Sequence, residues 1–268
     1  MSETKTAKQP ESSSLLGYSL ADLEALYEEM GQKPYRVKQT MEWIYKQRIS
    51  DIEEMSNLPA NLREHLSQSY HLNNLEHIET KGAADTTRKF LFRLHDGRYV
   101  ETVFIPASVG LKGKQSSRKT ICVSSQVGCA YGCKFCASGL AGFTRNLLAS
   151  EIIGQMLSVE KISGQPINNI VFMGMGEPLA NLTNLTKALE VITGHWGLNI
   201  GARSITVSTS GLAPQIRKLA EFPAPIRLAI SLHGATDEVR DLIMPINKKY
   251  PIQELFDALQ HWRKHKKQ

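Results

Sequence analysis

Apolar and polar positions recur with two different periods along this chain, and the change of period divides it. Leu23, Leu26, Tyr27 and Met30 fall on one helical face. Ser19 with Asp22 reads as a capping box before that face, and Gly31 as its stop. Pro34 opens a second helix with Val37, Met41 and Ile44 on one side, and Pro59 a third with Leu62 and Leu66, the helical stretch ending near Tyr70. From 88 to 105 the period drops to two. Phe90, Phe92 and Leu94 precede Asp96-Gly97, and Tyr99, Val100, Val103 and Ile105 follow, the pattern of a β-hairpin. Residues 106–118 read as a polar linker.

From Lys119 a strand, a loop and a helix alternate. Strands are predicted at 120–125, 169–173, 204–208 and 226–231. Helices are predicted near 150–162, 184–193, 214–221, 237–243 and 252–265. The strands are near-continuous apolar runs, as parallel strands covered on both faces must be. The fold class is therefore α/β: a partial parallel (β/α) barrel of about four βα units, preceded by a small helical domain and a β-hairpin. The expected division is 1–14 disordered tail, 15–75 helical RNA-binding accessory domain made basic by Arg36, Lys46 and Arg48, 76–118 hairpin and linker, and 119–268 incomplete barrel. Such barrels build their active sites at the C-terminal ends of the strands.

Composition narrows the class. A chain of 268 residues with 41% hydrophobic and 22% charged residues can bury a core. It has no run of eighteen apolar residues, and Met1 to Ser14 is polar, so neither a membrane span nor a secretory signal is predicted and a cytoplasmic location is expected. The net charge of +6 favours a polyanionic partner. Part of it lies at Arg263, Lys264, His265, Lys266 and Lys267, which read as a solvated helix end.

The chemistry concentrates in one loop. Cys129-Ala-Tyr-Gly-Cys133-Lys-Phe-Cys136 is a C-x3-C-x2-C run, and Cys122, just upstream, is the one other cysteine of the sequence. Three close thiolates suit an iron–sulfur cube with one iron left open for a ligand. A zinc site completed by Cys122 or a histidine, and a disulfide, are the alternatives. Gly174-Met-Gly-Glu177 follows the second barrel strand. Its glycines permit a close backbone approach to a ligand and its carboxylate can accept from an ammonium, though it also reads as a turn with Glu177 at a helix start. Ser208 and Ser231 end the next two strands as possible ligand contacts or caps, and His233 as a contact or a structural histidine. Each motif falls just after a strand, on one end of the barrel.

Together these segments resemble one family. Cys122-Val-Ser-Ser-Gln-Val-Gly-Cys129, Gly142-Phe-Thr-Arg-Asn-Leu147, Met173-Gly-Met-Gly-Glu-Pro178, Ser208-Thr-Ser-Gly211, Ile230-Ser-Leu-His233 and Pro245-Ile-Asn-Lys-Lys-Tyr250 are similar to motifs of the bacterial radical-SAM (S-adenosylmethionine) adenine methyltransferases, in the same order. Those enzymes methylate carbon 2 of adenine in 23S rRNA and tRNA. The resemblance implies a [4Fe–4S] cluster on Cys129, Cys133 and Cys136, and SAM contacts from Gly176, Glu177, Ser208, Ser231, Leu232 and His233. It implies Glu101, otherwise a surface hairpin residue, as proton acceptor, and Cys122 as the thiol that releases product by disulfide formation. It also implies a reducing partner such as a flavodoxin or ferredoxin.

The family's route methylates a further cysteine near the C-terminus with one SAM, then uses a second SAM to make a radical that activates that methyl group. None of the four cysteines here is left for that task. The family's barrel also has six strands, so the chain is expected to be a C-terminally truncated member lacking on the order of 100 residues. Methyl transfer by these residues alone is not expected. A carbon-8 adenine methyltransferase shares the cofactor motifs, and a non-catalytic iron–sulfur or zinc RNA-binding remnant is the reading from a different class.

Overall fold

The computed structural model describes residues 13–72, 75–107, 117–140 and 142–266. The predicted tail and the predicted 106–118 linker lie largely outside them. Strand β1 (Ser13–Ser14) pairs in parallel with β2 (Tyr70–His71) and closes a three-helix module: α1 (Leu20–Glu29), α2 (Tyr35–Glu42) and α3 (Ala60–Ser69). The reciprocal Ser19–Asp22 cap is present at α1, with Asp22 N donating to Ser19 Oγ over 3.1 Å. Helix α2 runs on into a π-helical turn over Trp43–Gln47 that ends at left-handed Arg48.

The module is fused to the rest of the molecule. Leu15, Leu16, Tyr27, Ile44 and Leu66 belong to one continuous core with Ile152, Ile153 and Met156 of α5 (Ala149–Ser163). Gly17, at φ +85°, comes so close to α5 that an added Cβ would sit 2.6 Å from Ser150 N. Arg48 Nε donates to Glu160 Oε2 of α5 over 2.9 Å. Removing the helices would therefore uncover the core of the whole molecule.

The remaining elements follow in chain order: β3 (Glu76–Lys81), β4 (Arg88–Arg93), β5 (Tyr99–Ile105), β6 (Thr120–Cys122), β7 (Gln126–Gly128), α4 (Ala137–Leu140), β8 (Phe143–Asn146), α5, β9 (Asn169–Phe172), α6 (Leu182–Thr193), β10 (Ile205–Thr209), α7 (Ala213–Ala220), β11 (Arg227–Ile230), α8 (Asp237–Ile243) and α9 (Ile252–His265). Seven strands form one sheet in the order β11-β10-β9-β6-β5-β4-β3. The four barrel strands are parallel, as the apolar runs predict. The hairpin joins the same sheet, because β5 pairs antiparallel with β6. Strand β3 is an addition to the sequence reading. Nearly all of its side chains are exposed, so it carries no apolar alternation.

Period two gives the sheet two unlike faces. Phe90, Phe92, Val100, Phe104, Ile121, Ile170, Phe172, Ile205 and Val207 are fully buried on one. Thr102 on that face donates to Gln155 Oε1 of α5 over 2.8 Å, so this is the face beneath the helices. On the other face the cross-strand row Val103–Cys122–Val171–Thr206 is only half-covered. Glu101 and Ser208, two residues along their strands, share that open face.

The basic end differs from its prediction at one residue. Arg263, Lys264 and His265 are exposed, but Lys266 is only 6% exposed. Its Nζ donates to the carbonyls of Ala224, at 3.0 Å, and of Phe222, closing the turn before β11. Burial pushes its pKa down. Lys267 lies outside the described residues.

Candidate functional site

The cysteine loop is held at its base by a ladder that sequence reading missed. β7 pairs antiparallel with β8, and Cys129 N donates to Gly142 O over 3.0 Å. Gly128 is required there: it sits at φ +74°, and a Cβ would lie 1.8 Å from Gly142 O. Further out, Lys134 N donates to Ile243 O at the end of α8 (2.9 Å), and Cys136 N to Cys133 O (3.0 Å). Phe135, 52% exposed, packs its ring against His233, with centroids 4.3 Å apart. The loop thus touches the end of the fourth barrel strand.

All four cysteines are free thiols, which corrects the expected disulfide. The physical reason is that the expected partner of Cys122 was a fifth cysteine, absent from these residues. Burial raises the Cys129 and Cys133 pKa values, and each thiolate is disfavoured further by its neighbours: Cys129 by Glu177 and Cys136, Cys133 by Cys129, Cys136 and Glu177. The three thiols share one short loop, closed by the Cys136 N to Cys133 O hydrogen bond. Burial also raises Cys122, against a lowering hydrogen bond from the Met173 backbone. Among the described residues, no three His, Cys, Asp or Glu converge on a point that could hold one metal ion. A single zinc needs all its thiolates about 2.3 Å from one centre, whereas a cube takes each thiolate at a different iron. The donor set fits the cube: three clustered thiols that metal binding would deprotonate.

Behind the loop lies a buried floor. Glu177 is 3% exposed and caps the turn Pro178–Asn181. Its Oε2 accepts from Ser210 N (2.7 Å) and Ser210 Oγ (2.8 Å), and its Oε1 from Leu179 N (3.1 Å). Burial raises its pKa, and the same hydrogen bonds oppose the rise. The helix-start reading of Glu177 is met, since its side chain caps the turn Pro178–Asn181. Gly176, at φ +95°, presses on Gln126, where an added Cβ would meet Gln126 Cβ at 2.5 Å. Gln126 in turn accepts from Glu177 N (2.8 Å) and donates to Asn146 Oδ1 (2.8 Å), tying the Gly-rich turn to the cysteine ladder.

Ser208 and Ser231 end β10 and β11 side by side, their Oγ atoms 3.5 Å apart. Leu232 is half-buried, and His233 is exposed in the left-handed region at φ 53°. Glu101 shares the open face from β5, the antiparallel strand beside β6. Its backbone is held by Ser124 Oγ, which donates to Glu101 O (2.5 Å), and by Met175 Sδ, which accepts from Glu101 N (3.4 Å). Lys89 Nζ donates to its Oε1 over 2.6 Å.

The residues that sequence reading missed are buried polar ties. Arg145 makes two hydrogen bonds of 2.7 and 2.8 Å to fully buried Glu151 and one of 2.7 Å to Asp96, binding β8 to α5 and to the hairpin turn. The Glu151 hydrogen bonds push the Arg145 pKa up. Arg240 of α8 is fully buried against the carbonyl ends of β10 and β11. Charge on a short amphipathic helix predicts exposure, so only the neighbouring Pro245-Ile-Asn-Lys-Lys-Tyr250 motif pointed toward this segment.

Comparison with known proteins agrees with this geometry. Residues 13–72 match the ribosomal RNA large subunit methyltransferase N-terminal domain, and residues 123–268 match the radical SAM superfamily. The chain is 54% identical over 244 residues to a probable dual-specificity RNA methyltransferase RlmN from Akkermansia muciniphila, covering 91% of this chain and 68% of that protein. It is 44% identical over 241 residues to a dual-specificity RNA methyltransferase RlmN from Geotalea uraniireducens, covering 90% and 67%. The crystal structure of a radical SAM methyltransferase from Sphaerobacter thermophilus superposes with a TM-score of 0.87 at 38% identity, over 96% of this chain and 74% of that one. The chain spans about two thirds of the length of these curated relatives. It belongs to the radical-SAM family of dual-specificity RNA methyltransferases.

Proposed function

We propose that the chain forms the cofactor-binding and substrate-facing part of an RNA methyltransferase that acts on carbon 2 of adenine in 23S rRNA and tRNA, in the cytoplasm, with electrons from a flavodoxin or ferredoxin. The observation that carries this reading is the shared open face. Glu101 and Ser208 lie on one face of a single sheet, Ser231 stands beside Ser208, and the cysteine loop meets the end of the fourth barrel strand through Phe135 and His233. No described helix is long and apolar enough to cross a membrane.

Cys129, Cys133 and Cys136 hold the cluster, and Glu177, Gly176, Ser208, Ser231, Leu232 and His233 hold SAM. When bound, the pair supplies one-electron cleavage of a carbon–sulfur bond. The chain's own residues do the rest. Phe135 and His233, packed ring on ring, tie the loop to the end of the fourth barrel strand. Glu101 accepts the proton that leaves the adenine ring. Lys89 occupies its Oε1, so Oε2 is the oxygen left to take it. Cys122 is the thiol that would attack a thioether-bearing cysteine, and none of the four cysteines is left for that part once the three ligands are assigned. These 268 residues alone therefore cleave SAM slowly and leave RNA unmethylated.

The test is anaerobic reconstitution with iron and sulfide, then incubation with reductant, methyl-labelled SAM and unmodified ribosomal RNA. A brown protein that releases 5′-deoxyadenosine and labels no RNA is the expected result. A colourless zinc protein would sink the enzyme reading. Labelled 2-methyladenosine at catalytic yield would require another methyl carrier, and labelled 8-methyladenosine would move the chain to the sister activity. RNA contact is assigned to the exposed Lys33, Lys38 and Lys46 of the helical module. Their triple alanine variant should flatten the salt dependence of RNA binding by roughly two to three units of log–log slope, and an unchanged slope would remove that assignment.

A further inference from the structure

We propose that Arg240 is a positioning residue of this site: its buried guanidinium holds the ends of β10 and β11 in the shape that receives SAM and supplies fixed positive charge behind the cysteine loop. The inference rests on the cofactor reading above.

Arg240 is fully buried, yet its direct hydrogen bonds go to neutral oxygens. Its Nη2 donates to Ser210 O over 3.0 Å, and its Nη1 to Ser231 O over 3.2 Å and to Leu232 O. Its Nε donates to Asn247 Oδ1 over 2.8 Å. Asp237 and Asp241 reach it through Asn247, whose Nδ2 donates to them over 2.8 and 2.9 Å. A planar guanidinium with five donors can serve two strand ends and a side-chain amide at once, and an ammonium cannot.

The groups it holds are those the site uses. Ser210, whose carbonyl it binds, gives both its N–H and its hydroxyl to Glu177. Ser231 and Leu232 begin the turn that presents His233 to Phe135. The same short helix, α8, ends at Ile243, whose carbonyl accepts from Lys134 N in the cysteine loop. A cation buried without a directly bonded carboxylate is costly. The cost is offset when an anion sits nearby, and the cysteine loop, pinned to the end of α8 through Ile243, is where the proposed cluster would supply one. A metal-thiolate cluster and the SAM carboxylate would put lasting negative charge in the same place.

The experiment compares Arg240→Lys, Arg240→Met and wild type. Lysine keeps the charge and loses the fork. Methionine loses both. In reconstituted protein, Arg240→Lys should retain wild-type iron content and cluster reduction potential but bind SAM at least about tenfold more weakly, the scale of one lost charge-assisted hydrogen bond. Arg240→Met should also move the potential to a more negative value. Wild-type SAM affinity in Arg240→Lys would overturn the positioning role. An unchanged potential in Arg240→Met would overturn the charge role. If methionine prevents folding, the lysine variant alone decides the positioning role, and Arg240→Gln, which keeps polar bonding without charge, replaces it for the potential. If wild type takes up no iron, the cofactor reading has failed. Arg240 is then judged in the metal-free chain by amide hydrogen exchange: Arg240→Lys should lose protection at Ser231 and Gly234 and keep it at Ile121. Equal protection at all three would reject the proposal.

Discussion

The cysteine loop and the floor behind it meet at one site but are built differently. The loop leaves each thiol partly exposed and depends on a few backbone hydrogen bonds, to Gly142, to Ile243 and within itself. The floor, made by Glu177, Ser210, Gln126 and Arg240, is buried and saturated with side-chain ties. The floor is finished before any cofactor arrives. The loop has three donors that only a metal can bring together as anions. Such a division suits a site that must accept a large inorganic group and then hold a small organic one in a fixed pose.

The largest expected break falls on the loop. Replacing Cys129, Cys133 or Cys136 with alanine should abolish iron uptake, read as iron per chain and visible absorbance after reconstitution. The metal-free melting temperature should stay near wild type, since each thiol is only half-buried. Wild-type iron in all three variants would undo the assignment.

The next effect falls on the ladder that carries the loop. Arg145→Met strands fully buried Glu151 without its bidentate partner. Breaking a buried pair in this way costs about 3–5 kcal/mol, to be measured by urea unfolding. A loss below about 1 kcal/mol would show that β8 is held by other means.

On the floor, Glu177→Gln should leave iron content unchanged and weaken SAM binding roughly 10- to 150-fold, equivalent to about 1.5–3 kcal/mol. The same variant isolates a pH effect in the metal-free chain. The folded protein raises the Glu177 pKa by burial, so it holds that proton more tightly than the unfolded chain does. Below the ordinary carboxylate pKa the two states are equally protonated there. As pH rises through the window above it, wild type should lose stability relative to Glu177→Gln. Parallel stability profiles for the two proteins would contradict the burial effect.

The smallest effect should come from the open face. Lys89 and Glu101 are each 44% exposed in their side chains. Lys89→Met should therefore cost under about 1 kcal/mol of stability. A larger loss by thermal unfolding would mean that this pair is structural and not held ready for substrate.

Legibility in the sequence followed the same divide. The Ser19–Asp22 cap, the hairpin around Asp96-Gly97, the parallel strands and the limits of α8 and α9 could all be read, because each depends on local turn chemistry or apolar period. The cysteines and Glu177 were legible because thiols and glycine-flanked carboxylates are chemically conspicuous. Strand β3 was not, since a sheet-edge strand with exposed side chains has no apolar period. The β7–β8 ladder was hidden because it joins two short segments across the cysteine loop. Arg145, Arg240 and Lys266 were hidden for a different reason. Each carries its charge to at least one partner far along the chain, Asp96 for Arg145, Ser210 O for Arg240 and Ala224 O for Lys266.

The bond between Lys134 N and Ile243 O also has a meaning in time. The carbonyl that pins the cysteine loop is synthesised on the order of 100 residues after the loop itself, which at about 5–20 residues per second is roughly 5–20 seconds. During that interval three neighbouring thiols have left the ribosome without the helix that fixes their loop. A nascent chain is then open to iron delivery and to oxidation alike, so the oxygen and iron supply at the moment of translation, rather than the stability of the finished protein, should set how much of it is assembled correctly.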